Sequence, residues 1–542
     1  MRKLAAAQRC CALRRRMLTW VCFFLSSGLA LPARPVQAAP NTSEFAPIAR
    51  QDFAYDHQVM AVLSRAGCNQ GTCHGNFRGK GDFRLSLRGQ DAHQDYLAIA
   101  HELGGRRINR VDPDESLLLL KATTALPHQG GQRFTSDSPE YKILRDWIAA
   151  GVPAPQPTAP QVVSLQLDHQ GLIVRTDDSP IVLQVEATFS DGTHADVTEL
   201  ATYECANYVA QIAPSGVITR QQAGEATILV RYLNEQVSLR VAFIEPTVAT
   251  TSPDTPSVAA DKRWIDQLID AKLQALQITP GPRCDDTVFV RRVYLDTLGL
   301  LPSIEEARAF LTDNSPDKRA RLIDQLLSRP EYAENWAYKW SDLLRSEEKL
   351  LDATGVEKFH AWLVSCFQDN LPLDEFARRL VASQGSTYEQ PAANYYRALR
   401  DPLTRGETTA RVFLGVRLEC AKCHNHPFDH WTQDDYYDWA SVFARIDYEI
   451  VENNRKDKFD KQEFVGEQRV LWKPEGEVEN PRHGRLATAR FLSSDHVTLD
   501  ANAERLPQLA NWLTAADNEE FALAQANRIW FHLFGRGLVD PI

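Results

Sequence analysis

Methionine is almost missing from this chain. Of its 542 residues only Met1, Met17 and Met60 are methionines, and two of them fall within the first forty positions. A thioether ligand for any bound metal is therefore confined to one place. Long apolar runs are scarce too. After Leu31 nothing approaches the roughly 20 apolar residues that a membrane helix needs. No G-x-S-x-G elbow, H-E-x-x-H, Walker loop or G-x-G-x-x-G occurs, so several common hydrolase, zinc-protease and nucleotide-binding signatures are unrepresented. Positive charge is also short: 60 Lys and Arg face 71 Asp and Glu, a formal charge of −11.

The first forty residues stand apart. Arg2, Lys3, Arg9 and Arg14 to Arg16 make a basic start, Met17 to Leu31 an apolar segment, and Val36-Gln37-Ala38 a small-residue cleavage site. This is the pattern of a secretory signal peptide over 1–38, with an uncleaved N-terminal anchor as the alternative. Cleavage removes seven basic and no acidic side chains and takes the charge from −11 to −18. Such an acidic protein is a poor match for nucleic acid or an anionic membrane. The expectation is an exported protein, periplasmic or at the cell surface, with no membrane span once the signal is cut. Seven cysteines remain. Cys205, Cys284 and Cys366 are scattered, as buried small hydrophobes usually are.

The composition beyond the signal is ordinary for a globular protein of three or four domains. A first unit, 53–152, closes on a helix with Ser138 as N-cap and Pro139 at the first turn, and with Ile143, Leu144, Trp147 and Ile148 on one face. Residues 153–160 (PAPQPTAP) are a Pro-rich linker. Over 161–245 the chain turns to short β-branched runs broken by turns such as Ser190-Asp-Gly-Thr and Pro214-Ser-Gly, the rhythm of an all-β sandwich. A low-complexity linker, 246–260, follows. From 261 to 448 the pattern is helical, with an apolar stripe (Trp264, Ile265, Leu268, Ile269, Leu273, Leu276), a capping box at Ser303 to Glu306 and a helix opened by Ser315-Pro316-Asp317. Residues 449–490 read as a charged excursion, and a last helical unit fills 491–542. The fold class expected is multidomain, mainly α, with one all-β sandwich.

Cys420-Ala-Lys-Cys423-His424 is the C-x-x-C-H attachment signature for a c-type haem. It needs two thiols one turn apart for the haem vinyls and an adjacent imidazole for the iron. Two rivals stay open: a Cys420–Cys423 disulfide, and zinc held by Cys420, Cys423, His426 and His430. Cys68-Asn-Gln-Gly-Thr-Cys73-His74 is a looser version, with four residues between the thiols. Gly71 would let that loop bulge; a disulfide-stapled loop is the alternative. Scarce methionine narrows the second axial ligand to another histidine or an open position, because Met60 lies too close to the first motif. His128, in Leu126-Pro-His128-Gln-Gly-Gly131, is the choice for the first haem, ahead of His93 and His101. For the second, His360, His430, His496 and His532 are candidates. Arg78, Lys80 and Arg84 could meet haem propionates.

These motifs resemble a known family. Ala66 to Gly75, Phe83 to Gly89 and Tyr141 to Gly151 resemble the planctomycete-type cytochrome c domain. Asp285 to Asp296 and Leu414 to Asp429 resemble the helical, haem-motif-bearing domain that accompanies it. Asn527 to Pro541 resembles the start of that family's C-terminal domain, which would continue past Ile542. The 161–245 segment, with Phe189-Ser-Asp-Gly-Thr, Asp196-Val-Thr and Gly224-Glu-Ala-Thr, resembles the bacterial Ig-like group 2 domain. The resemblance implies cytochrome c-like and helical domains separated by an Ig-like spacer. It also implies two covalent haem c groups, at Cys68, Cys73 and His74 and at Cys420, Cys423 and His424, with His74 and His424 on iron. The family often has Met-Pro near its distal loop; Pro127-His128 stands here. The function expected is electron transfer with an unidentified redox partner. An alternative is a haem-dependent oxidoreductase acting on an extracytoplasmic substrate such as carbohydrate. Another is a haem-free adhesive scaffold with disulfide or zinc sites. The Ig-like domain implies contact with a surface polysaccharide or protein.

Overall fold

The computed structural model describes residues 55–175, 181–245, 264–426, 429–455, 465–493, 499–500, 503–540 and 542. The signal segment, the 246–260 linker and His496 lie outside them. The chain divides into two compact units, 1–281 and 282–542.

In the first unit a π turn (Tyr55–Val59) runs into the helix Met60–Arg65. Residues 59–63 are buried on every side. Helices Ala92–Ala100, Leu117–Ala122 and Pro139–Ala149 complete a small core around Tyr55, Leu63, Leu119 and Trp147. Ser138 caps the last helix by accepting the Tyr141 amide, and Leu144, Trp147 and Ile148 are its buried face.

Among the described residues the β domain carries ten strands in three hydrogen-bonded sheets around one core that includes Leu183, Val185, Val197, Ile228, Val230, Leu239 and Val241. Its longest pair, Gly224–Tyr232 and Glu235–Ile244, is an antiparallel hairpin, and Gly171–Arg175 adds in parallel to the second strand. The Pro-rich segment does not act as a spacer between this domain and the first motif. His57 Nε2 meets Pro160 O at 2.6 Å, the Gln156 amide donates to Asp56, and Tyr232 Oη donates to His57 O at 3.0 Å. Ala61 of the motif-bearing helix belongs to the β domain's core. That contact covers the side of the helix turned away from the first unit's own core.

The second unit begins with helices Asp286–Leu298, Ile304–Thr312 and Lys318–Leu327 around Val290, Tyr294, Phe310 and Leu326. Both hydrogen bonds of the Ser303–Glu306 capping box are present. A larger core follows, built from Pro330–Leu343, Glu348–Gln368, Leu373–Val381, Pro402–Thr409, Gln433–Ser441 and Arg505–Leu513. The expectation of a charged excursion over 449–490 is corrected. Gln468–Trp472 is the central strand of a three-stranded sheet, between Gly385–Ser386 and Ile446–Ile450, and Gln468 and Val470 are fully buried. Charge misled here because it is paired: Glu477 binds Arg445 and Arg505, and Arg490 binds Asp435 and Asp438. The helical region thus holds a small sheet. The stripe on helix Trp264–Ala275 has no buried residue among those described.

Candidate functional site

Residues 66–75 form a knot of turns after the first helix. Cys68 N donates to Leu63 O, Cys73 N to Gln70 O and His74 N to Cys68 O, all at 2.9–3.0 Å. The left-handed residue is Gly67 (φ +73°), so Gly71 is not what permits the longer loop. Cys68 and Cys73 are both free thiols. Burial pushes the Cys68 thiol up to about 11, outweighing the nearby Arg133 cation.

Both cysteines line a cleft of about 940 Å³. That is near the upper end of the ~300–1,000 Å³ typical of ligand pockets. Its apolar wall includes Val62, Leu63, Phe134 and Leu144. Every charged residue on it is a cation: Lys80, Arg106, Arg107, Lys121 and Arg133. Of the three cations considered for propionates, Lys80 lines the cleft and Arg78 and Arg84 do not. Met60 is buried with its Cε beside Gly89 and is not part of the lining.

His74 and His128 face each other within this cleft. Their rings lie 6.4 Å apart, centroid to centroid, and only 12° from parallel. His74 Nδ1 is 3.0 Å from Phe83 O and 3.1 Å from Lys80 O, and His128 Nδ1 is 2.8 Å from Gly131 O. A carbonyl can only accept, so both rings are held as the Nδ1–H tautomer with Nε2 left as a base. That arrangement is typical of metal-ligating histidines. Gly130 is required for the second ring, because a Cβ there would sit 2.7 Å from His128 Cε1. Arg133 Nη2 reaches Cys73 Sγ at 3.4 Å. The set fits a covalently attached haem: two thiols, two opposed imidazoles with free Nε2 and a cationic rim. His93 and His101 are exposed.

The Cys420 motif is built differently. Glu419–Lys422 is a 3-10 turn with Cys423 as its C-cap. In such a turn residues i and i+3 eclipse, which sets the two thiols side by side. Both thiols are exposed, whereas Leu418 and Ala421 are buried beneath them. Gln433 Nε2 and Tyr437 Oη donate to Lys422 O and pin the turn to helix Gln433–Ser441. His424 Nδ1 lies 2.7 Å from Asn425 O. His360 is engaged with Ser341, His430 with Asp429 and His532 with Trp336. Among the described residues no cluster of three or more His, Cys, Asp or Glu is placed to hold a metal ion, so the zinc quartet is not assembled. Of the scattered cysteines only Cys366 is buried; Cys205 is half-buried and Cys284 exposed. No helix among the described residues is long and apolar enough to cross a membrane.

Residues 264–448 match the family model described as PSCyt2, protein of unknown function (DUF1549), and residues 505–542 match PSD1, protein of unknown function (DUF1553). This pair is found in planctomycete-type cytochrome c-domain proteins and fits the two companion domains expected in the second half of the chain. No curated protein matches the chain.

Proposed function

We propose that the protein is an exported di-haem c-type cytochrome that transfers electrons to or from a partner protein. One observation carries the reading: the parallel pair His74 and His128, each tied through Nδ1 to a carbonyl, in a cleft that also presents Cys68 and Cys73. Bound haem supplies a one-electron centre. The chain's own residues do the rest. Cys68 and Cys73 would anchor the group, and His74 and His128 would offer it their Nε2 atoms. Val62, Leu63, Phe134 and Leu144 keep water from one face. Lys80, Arg106, Arg107, Lys121 and Arg133 offset the propionate charge. Ligation by both histidines would set a lower potential than His/Met would. Cys420, Cys423 and His424 would hold the second haem. Faces of the β domain turned away from the first helix are left for a surface polysaccharide or protein. The signal-peptide pattern supports export, and the acidic charge argues against nucleic acid as a partner.

Among the described candidates, the engagement of His360, His430 and His532 elsewhere favours a second reading at Cys420: an iron with an open position, in a haem-dependent oxidoreductase. Carbon monoxide binding to the reduced protein separates the two. The primary test is intact mass with a pyridine haemochrome spectrum, on protein exported from a host that matures c-type cytochromes. The expected result is two haems, lost stepwise in Cys68→Ala/Cys73→Ala and Cys420→Ala/Cys423→Ala. Protein without covalent haem would sink the proposal and leave the scaffold alternative.

A further inference from the structure

Asp95 is fully buried and has no ion-pair partner among the described residues. Its carboxylate accepts instead from the Ser86 amide and, at 2.8 Å, from the Ser86 hydroxyl. Ser86 ends a short run that holds His74. The Leu85 amide donates to His74 O at 2.8 Å, and Phe83 O accepts from His74 Nδ1 at 3.0 Å. Arg107 braces the same run, lying 4.3 Å over the Phe83 ring and donating to Asp82 O at 3.1 Å. The carboxylate is thus the fixed end of the segment that sets the tautomer and tilt of His74.

The groups facing Asp95 are few. From its own helix come Tyr96 and the N-cap Asp91; from the loop, Ser86; from the π turn before the first helix, Tyr55, whose buried hydroxyl has no hydrogen-bond partner among the described residues. Trp147, from the helix Pro139–Ala149, covers Tyr55. Burial pushes the Asp95 carboxyl up to about 7, against the two Ser86 hydrogen bonds and with help from the Asp91 charge.

Building on the haem reading above, we propose that Asp95 is a positioning residue for the axial ligand His74 and that its proton makes the potential of the first haem depend on pH. Ionised, Asp95 places a negative charge behind His74 and favours the ferric state. Protonated, it removes that charge. The potential therefore falls as pH rises through neutrality.

The test uses the full chain, matured with haem, in a Cys420→Ala/Cys423→Ala background. The potential is titrated from about pH 5.5 to about pH 8.5. The redox equilibrium should shift about fivefold over that range, the order expected of one charge acting over ~15 Å at an effective permittivity near 20. Asp95→Asn should keep the low-spin bis-histidine spectrum and flatten the pH dependence. Asp95→Ala, which frees Ser86, should weaken that spectrum as well. An unshifted parent, an undiminished slope in Asp95→Asn, or an unaltered spectrum in Asp95→Ala overturns the proposal while the haem reading stands. A parent without haem at Cys68 and Cys73 removes both.

Discussion

Replacing Arg65 by alanine should loosen the first unit at the seam between its helical and β domains. Arg65 lies three residues before Cys68. Its Nε binds Glu140 Oε1 at 2.8 Å, and the side chains are only 11% and 15% exposed. Its Nη1 donates to the carbonyls of Glu199 and, at 3.4 Å, Ala201 in the β domain. One guanidinium therefore ties the motif-bearing helix to the helix Pro139–Ala149 and to a β-domain loop. A charge-assisted hydrogen bond contributes roughly 1.5–3 kcal/mol and a neutral one about 1 kcal/mol. Glu140 would also be left mostly desolvated without a partner, which adds to the loss. About 3 kcal/mol of local opening energy should disappear, equivalent to roughly hundredfold faster amide exchange. Hydrogen–deuterium exchange on peptides covering 60–66 and 199–206 reads this directly. Arg65→Lys keeps the charge without the planar fork and should recover about half. Exchange in both segments accelerated by less than about fivefold would refute the seam as a source of stability.

Asp352 should govern acid stability of the second unit. It is buried against Arg397 at 2.9 Å and also accepts the Gly355 and Gly466 amides and the Tyr388 hydroxyl. Burial pushes its carboxyl up, but these donors win and hold it below the usual range. Its stabilisation is thus complete above about pH 4 and lost as pH falls through the folded value, a limb that Asp352→Asn should lack in urea unfolding. Asp352→Ala, which removes the carboxylate paired with buried Arg397, should cost about 3–5 kcal/mol by the same assay. In protein made without haem maturation, iodoacetamide should label exposed Cys284, Cys420 and Cys423 well before Cys68 and Cys366, whose thiols are pushed up to about 11 by burial; peptide mass mapping gives the order. Gly130→Ala should leave haem attachment at Cys68 and Cys73 intact while displacing His128, seen as loss of the low-spin bis-histidine absorption.

The contact between the domains of the first unit gives the β domain a part in shaping the candidate site. It covers the outer side of the helix that ends in the Cys68 loop, so Ala61 packs into the β core while Val62 and Leu63 line the cleft. Removing the β domain would expose that side to water.

Local rules made much of this protein legible from residue order. Ser138-Pro139 and Ser303 to Glu306 start helices where expected because a cap needs only its own side chain and amides two or three residues on. The two cysteine–histidine motifs and the strand rhythm over 161–245 were equally plain. Scarce methionine makes a histidine such as His128 the expected second ligand from sequence alone, whereas its placement 6.4 Å from His74 is a tertiary fact. What sequence left out depends on groups far apart in the chain. Gln468–Trp472 became a central strand through neighbours about twenty residues away on one side and some eighty on the other. Asp95 reaches His74 through Ser86, and Arg65 spans to Glu140 and Glu199. The sequence by itself determined which residue types could hold haem, where helices begin and which segments alternate as strands, because those properties act over a turn or a pleat. Only the tertiary structure decided which histidines face each other, which charges are paired and which helix is buried on both sides, because burial and ion pairing are set by whatever distant surface arrives.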